Sequence, residues 1–143
     1  NLNYGTEYII STKMRTEIER AVNEIKKIDT ENRVEFIVLY GSSVKEEHGE
    51  LSDIDLAIYY RGNKEERFRF RIKVLGRVSN RFDIQMFQDL PLYIKKDIVS
   101  SGKPLYYKDY ETIFDEYLRT IKGYEDFERH LNYYYSSLRG IQE

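Results

Sequence analysis

Apolar residues recur at steps of three and four through Ile9, Ile10, Met14, Ile18, Ala21, Val22, Ile25 and Ile28, which predicts a helix over residues 7–29. Ser11-Thr12 can cap it and would start its regular part there. The pattern then changes. Residues 34–40 form an apolar run, Val-Glu-Phe-Ile-Val-Leu-Tyr, and 53–60 form a second that opens on aspartates. Both are short and rich in β-branched and aromatic residues, which predicts strands. Between them, 42–52 is a polar loop. Residues 64–79 fit two templates. Arg67 to Ile72 alternates like a strand, whereas Phe68, Ile72, Leu75 and Val78 share one helical face. Length favours a helix, which Gly76 weakens by about 1 kcal/mol relative to alanine. A third strand is expected over 81–87, with Phe82, Ile84 and Met86 on one face and Asp83, Gln85 and Phe87 on the other. Leu90-Pro91 opens a short helix that Ser101-Gly102 ends, and Pro104 to Tyr107 is extended. From 109 to 139 a stripe through Ile113, Phe114, Tyr117, Leu118, Ile121, Tyr124, Phe127, Leu131, Tyr134 and Leu138 predicts one helix, or two joined at Gly123.

The chain has 143 residues, which suits one domain: a core over about 8–107 and a helical C-terminal extension over about 108–143. It has no repeat and no low-complexity segment. Cysteine is absent, which excludes disulfides, thiolate nucleophiles and Cys-based zinc sites. His48 and His130 are too far apart in sequence for a ligand-spacing pair. No apolar stretch reaches membrane-spanning length, and no signal peptide is visible, so a cytoplasmic location and no membrane partner are expected. Fourteen tyrosines and seven phenylalanines suit either a tyrosine-edged core or a protein interface. The formal charge is −2, unevenly spread. Residues 61–81 carry eight Lys or Arg against two Glu, and residues 109–143 carry four against eight acids. A basic middle fits either a polyanion site or a solvated face.

The chemistry concentrates between 39 and 56. Gly41-Ser42 ends the first strand, and Asp53-Ile54-Asp55 follows ten residues later. On a strand, Asp53 and Asp55 point together, roughly 7 Å apart along the chain. Carboxylates so spaced can close on one or two magnesium ions.

Gly-Ser, ten residues, then Asp-x-Asp resembles the signature of the DNA polymerase β-like nucleotidyltransferase superfamily, in its minimal branch. The resemblance implies an α+β fold, a mixed sheet flanked by helices, and transfer of a nucleotide from ATP with magnesium as cofactor. It implies metal-binding, catalytic roles for Asp53, Asp55 and a third acid on a neighbouring strand. Asp83 is that candidate; its alternative is a salt bridge to an arginine such as Arg81. Gly41 would let the backbone approach phosphate, and Ser42 would hydrogen-bond a phosphate oxygen. If Ser42-Ser43 starts a helix, its free N–H groups favour an anion. Lys45 stands where many relatives carry arginine. Glu46-Glu47 departs from the small residue common there, and two acids near a triphosphate repel it unless they point away.

The strand with Asp83, a helix, Ser101-Gly102-Lys103-Pro104-Leu105-Tyr106, and an acidic aromatic tail resemble the MntA group of antitoxins. That group pairs with HEPN ribonuclease toxins. The resemblance implies a protein adenylyltransferase that moves AMP to tyrosine on a HEPN toxin. The toxin's Arg-x(4–6)-His motif is absent, so the chain reads as the antitoxin half. Its tail stripe would dock the toxin or a second copy in a homo-oligomer, or pack onto its own core. Two alternatives stay open: transfer to a small molecule or RNA end, and neutralisation of a partner by contact alone. The slightly acidic total charge argues against a nucleic-acid partner.

Overall fold

The structure, a computed structural model, describes residues 12–44 and 53–142. Four strands form one sheet in the order β3-β2-β1-β4: β1 Val34–Tyr40, β2 Ile54–Tyr60, β3 Phe82–Met86 and β4 Lys103–Tyr107. β1 is antiparallel to β2 and β4, whereas β2 and β3 run parallel. A parallel pair needs a crossover, and helix α2 (Lys64–Leu75) supplies it.

Both faces of the sheet are covered, which is why β1 and β2 read as continuous apolar runs rather than alternating ones. On one face, α1 (Thr12–Ile28) inserts Met14, Ile18, Ala21 and Ile25 between itself and Val34, Ile37, Leu39, Ile54, Leu56 and Ile58. Helix α2 adds Phe70 and Val74 there. On the other face, α3 (Leu92–Ser101) and α4 (Tyr110–Gln142) bring Ile98 and Ile113 onto Phe36, Val38, Ala57 and Phe87. The predicted α+β class with helices flanking a mixed sheet is therefore the one found. Among the described residues, no helix is long and apolar enough to cross a membrane.

Local chemistry fixes the joints. After α1, the Asp29 carboxylate accepts from the backbone N–H groups of Arg33 and Val34, at 2.8 Å each, and so aims the chain into β1. Asn63 caps α2: its side chain accepts from the Glu66 N–H at 2.9 Å while Glu66 accepts from the Asn63 N–H at 2.8 Å. This capping box stabilises a helix start by about 1 kcal/mol. Gly102 ends α3 in a place where a Cβ would lie 2.7 Å from Val38 Cγ1, so only glycine lets the chain turn directly into β4.

Two expectations are corrected. Helix α2 stops at Leu75, and its buried face is Phe70 and Val74; Phe68, Ile72 and Leu75 are 59, 50 and 40% exposed. Its rotation is set by contacts outside the apolar pattern. Phe70 stacks on Tyr60 with ring centroids 4.2 Å apart. Arg67 forks onto Asp89 at 2.6 and 3.1 Å, and Arg71 Nε donates to the Ile84 carbonyl at 2.7 Å. Second, Gly123 is no joint. α4 runs unbroken through it for 33 residues, since one glycine costs only about 1 kcal/mol and the rest of the helix outweighs it. Of the tail stripe, Ile113 is buried and Tyr117 and Tyr124 half-buried. Phe114, Leu118, Ile121, Phe127, Leu131, Tyr134 and Leu138 are exposed. The expected start of α1 at residue 7 lies outside the described residues.

Candidate functional site

Three chain segments meet at one end of the sheet, on the α3–α4 face. β1 ends at Tyr40, and Gly41 turns the chain with φ +73° into a four-residue 3-10 turn, Gly41–Val44. A Cβ on Gly41 would overlap Asp55 Oδ2. Glycine is thus required twice over, by the left-handed backbone and by the carboxylate against it. The described part of the turn ends at Val44, and the residues that would continue it lie outside the described residues. Ser42 is exposed on it. The side chain of Ser43, and Lys45 with Glu46-Glu47, lie outside the described residues.

Asp55 is the second residue of β2, paired across β1 with Tyr40. In the parallel pair it stands directly beside Asp83 of β3. That register sets the two carboxyl groups side by side on one face of the sheet. Burial first, then the Asp83 charge and hydrogen bond, with a smaller contribution from Asp53, push the Asp55 carboxyl up to about 6. The Asp83 charge beside it disfavours ionisation of Asp55, and a cation between the two would relieve that repulsion. Burial, then Asp55 and Asp83, likewise raise the Tyr40 hydroxyl. Asp53 is exposed in the residue before β2. Arg81, weighed as a partner for Asp83, forms an ion pair with Glu17 at 2.7 Å.

The structure therefore brings Gly41, Asp55 and Asp83 together, with Asp53 one step outside the close pair. Among the described residues, no three His, Asp or Glu side chains are gathered tightly enough to enclose a metal by themselves. The donor set is nonetheless oxygen-only, with a surplus of negative charge and an exposed carboxylate at its margin. Such a set fits a hard divalent cation that takes its remaining ligands from phosphate and water.

Sequence reasoning passed over Gln85. Its Nε2 donates to Asp83 Oδ1 at 2.9 Å. The signal was present, since Gln85 follows Asp83 by two on one strand face, but nothing in the apolar pattern gave it a role.

A mixed sheet of this order, with a glycine turn leaving β1 beside paired acids on β2 and β3, has the architecture of a nucleotidyltransferase. The chain belongs to the polymerase beta nucleotidyltransferase family, whose model matches residues 23–111. Over 95 residues it is 32% identical to MJ1547 of Methanocaldococcus jannaschii, a provisionally assigned protein adenylyltransferase; the match spans 66% of this chain and 73% of that protein. Among the solved structures that share the fold are two toxin–antitoxin complexes. One is a toxin–antitoxin pair crystallised with AMP-PNP: a chain of it is 16% identical, with a TM-score of 0.65 over 84% of this chain and 97% of that chain. The other is the tri-AMPylated Shewanella oneidensis HEPN toxin in complex with MNT antitoxin, at 17% identity and a TM-score of 0.59 over 85% and 98%.

Proposed function

We propose that the chain is a magnesium-dependent protein adenylyltransferase that moves AMP from ATP to a tyrosine of a HEPN ribonuclease toxin, acting in the cytoplasm as its antitoxin. The observation that carries this reading is the placement of Asp55 directly beside Asp83 in the β2–β3 register, against the Gly41 turn. The relative named as a protein adenylyltransferase and the toxin–antitoxin structures of like fold support the choice of acceptor.

Asp53, Asp55 and Asp83 would hold magnesium, which when bound neutralises charge on the triphosphate and its leaving group. Gly41 admits the phosphates close to the backbone, and the exposed Ser42 hydroxyl donates to a phosphate oxygen. Ser43 and Lys45 would complete the cradle. The Asp83 carboxylate polarises the attacking tyrosine hydroxyl. The tyrosine oxygen bonds to the α-phosphorus as the α–β anhydride bond breaks; the hydroxyl proton passes to the Asp83 carboxylate, and pyrophosphate leaves with the electron pair.

Label transfer tests the reading. The chain is mixed with α-labelled ATP, magnesium and a HEPN toxin, in parallel with an Asp53→Asn chain. Label is expected on a toxin tyrosine, and the variant is expected to lose most of it. Inhibition of the toxin without label would instead mean neutralisation by contact. Neither label nor inhibition would point to RNA ends or small molecules.

A further inference from the structure

Asp83 is held from its own strand. Gln85 lies two residues on, so both side chains leave β3 on the same face. The Gln85 amide nitrogen donates to Asp83 Oδ1 at 2.9 Å, while its cross-strand neighbour on β2 is the small, buried Ala57. An amide is the one uncharged group of this length that offers a donor to a carboxylate and adds no charge. The backbone of β3 does not need that bond. The ladder to β2 already fixes Ile54 to Phe82, Asp55 to Asp83 and Ile58 to Met86. What the amide fixes is the rotation of the Asp83 carboxyl group about its last bond, at the place where the register sets that group beside Asp55.

We infer that Gln85 is a positioning residue for nucleotidyl transfer, holding the Asp83 carboxylate in the orientation in which it meets Asp55, the cation and the attacking hydroxyl. The inference rests on the reading of Asp55 and Asp83 as the reactive acids. Hydrogen-bond partners that orient metal-ligating carboxylates are generally worth ten- to a hundredfold in metal affinity or activity. A glutamate at this position would offer only acceptors and repel Asp83. A methionine would fill the space and offer no donor.

The test compares Gln85→Met and Asp83→Asn with the native chain in the label-transfer reaction. It also measures Mn²⁺ affinity without nucleotide, by electron paramagnetic resonance, and thermal unfolding. For Gln85→Met, kcat is expected to fall about tenfold and Mn²⁺ affinity to weaken about as much. KM for ATP and the melting temperature should stay near the native values. A Gln85→Met chain with native kcat and native Mn²⁺ affinity would overturn the inference. So would one whose melting temperature drops along with kcat, which would mean a structural role only. The two levels separate cleanly. If Asp83→Asn still transfers AMP at the native rate, the reading of the acid pair fails; if Asp83→Asn is dead and Gln85→Met is native, only the role of Gln85 fails.

Discussion

Replacing Asp55 by Asn is expected to lower AMP transfer by a factor on the order of a thousand, the scale of losing a group aimed at the reacting charge, while raising stability above neutral pH. The first effect follows from its place between Gly41 and Asp83. The second follows from linkage. The folded-state pKa, about 6, lies above the ordinary 3.8. Between those values the folded state binds more protons than the unfolded one, so stability falls as pH rises through the window. Above it, the ionised Asp55 faces Asp83 and Asp53 from the sheet, with the Tyr40 hydroxyl close by. An asparagine can donate to Asp83, carries no charge and removes that slope. Urea unfolding at pH 3 and pH 8, with chelator present, should show the variant gaining at pH 8 relative to the native chain and little at pH 3, below the window. A variant less stable than the native chain at pH 8 would disprove the charge argument, and retained transfer would disprove the site.

Phe36→Ala is expected to cost about 3–5 kcal/mol, the usual cost of emptying a large aromatic site in a core. Native domains hold only about 5–15 kcal/mol in total, so the variant should sit near the edge of folding at 37 °C. Phe36 is fully buried on the central strand and pairs with Tyr59 on one side and Tyr107 on the other. Its ring lies 5.1 Å from Tyr59, 5.3 Å from Phe87 and 6.1 Å from Tyr117, mostly edge-on. No small rearrangement of three rings from β2, the turn after β3 and α4 refills that space. Equilibrium denaturation in urea measures the loss, and a value under about 1 kcal/mol would show that the cluster collapses onto the gap.

Strands β1 and β2 were legible because burial on both faces leaves an unbroken apolar run between a turn and an acidic start. Asp53 and Asp55 were legible as a pair because two residues apart on a strand is one face. The neighbour relation that matters more, Asp55 beside Asp83, was reachable only through resemblance. It depends on β2 and β3 pairing in parallel with that register, and register is a property of two strands and their crossover, not of either segment. The face of α2 was misread for a related reason. Phe68, Ile72 and Leu75 form a plausible stripe, but Arg67 on Asp89 and Arg71 on the Ile84 carbonyl turn the helix so that Phe70 and Val74 face inward. Polar anchors between distant segments leave no periodic trace. Gly123 was misjudged because a local breaker was weighed without the length of helix on each side of it.

The length of α4 makes the chain uneven in time as well as in space. At 1.5 Å per residue the helix extends for roughly 50 Å, and from residue 125 to 140 every position is exposed. Those turns hold together by propensity and a few side-chain pairs such as Arg129 with Asp126, and an uncovered helix of that length is marginal in water. Their amides should therefore exchange with solvent through local fraying, with an opening free energy near zero. Those of β1 should exchange only when the whole domain opens.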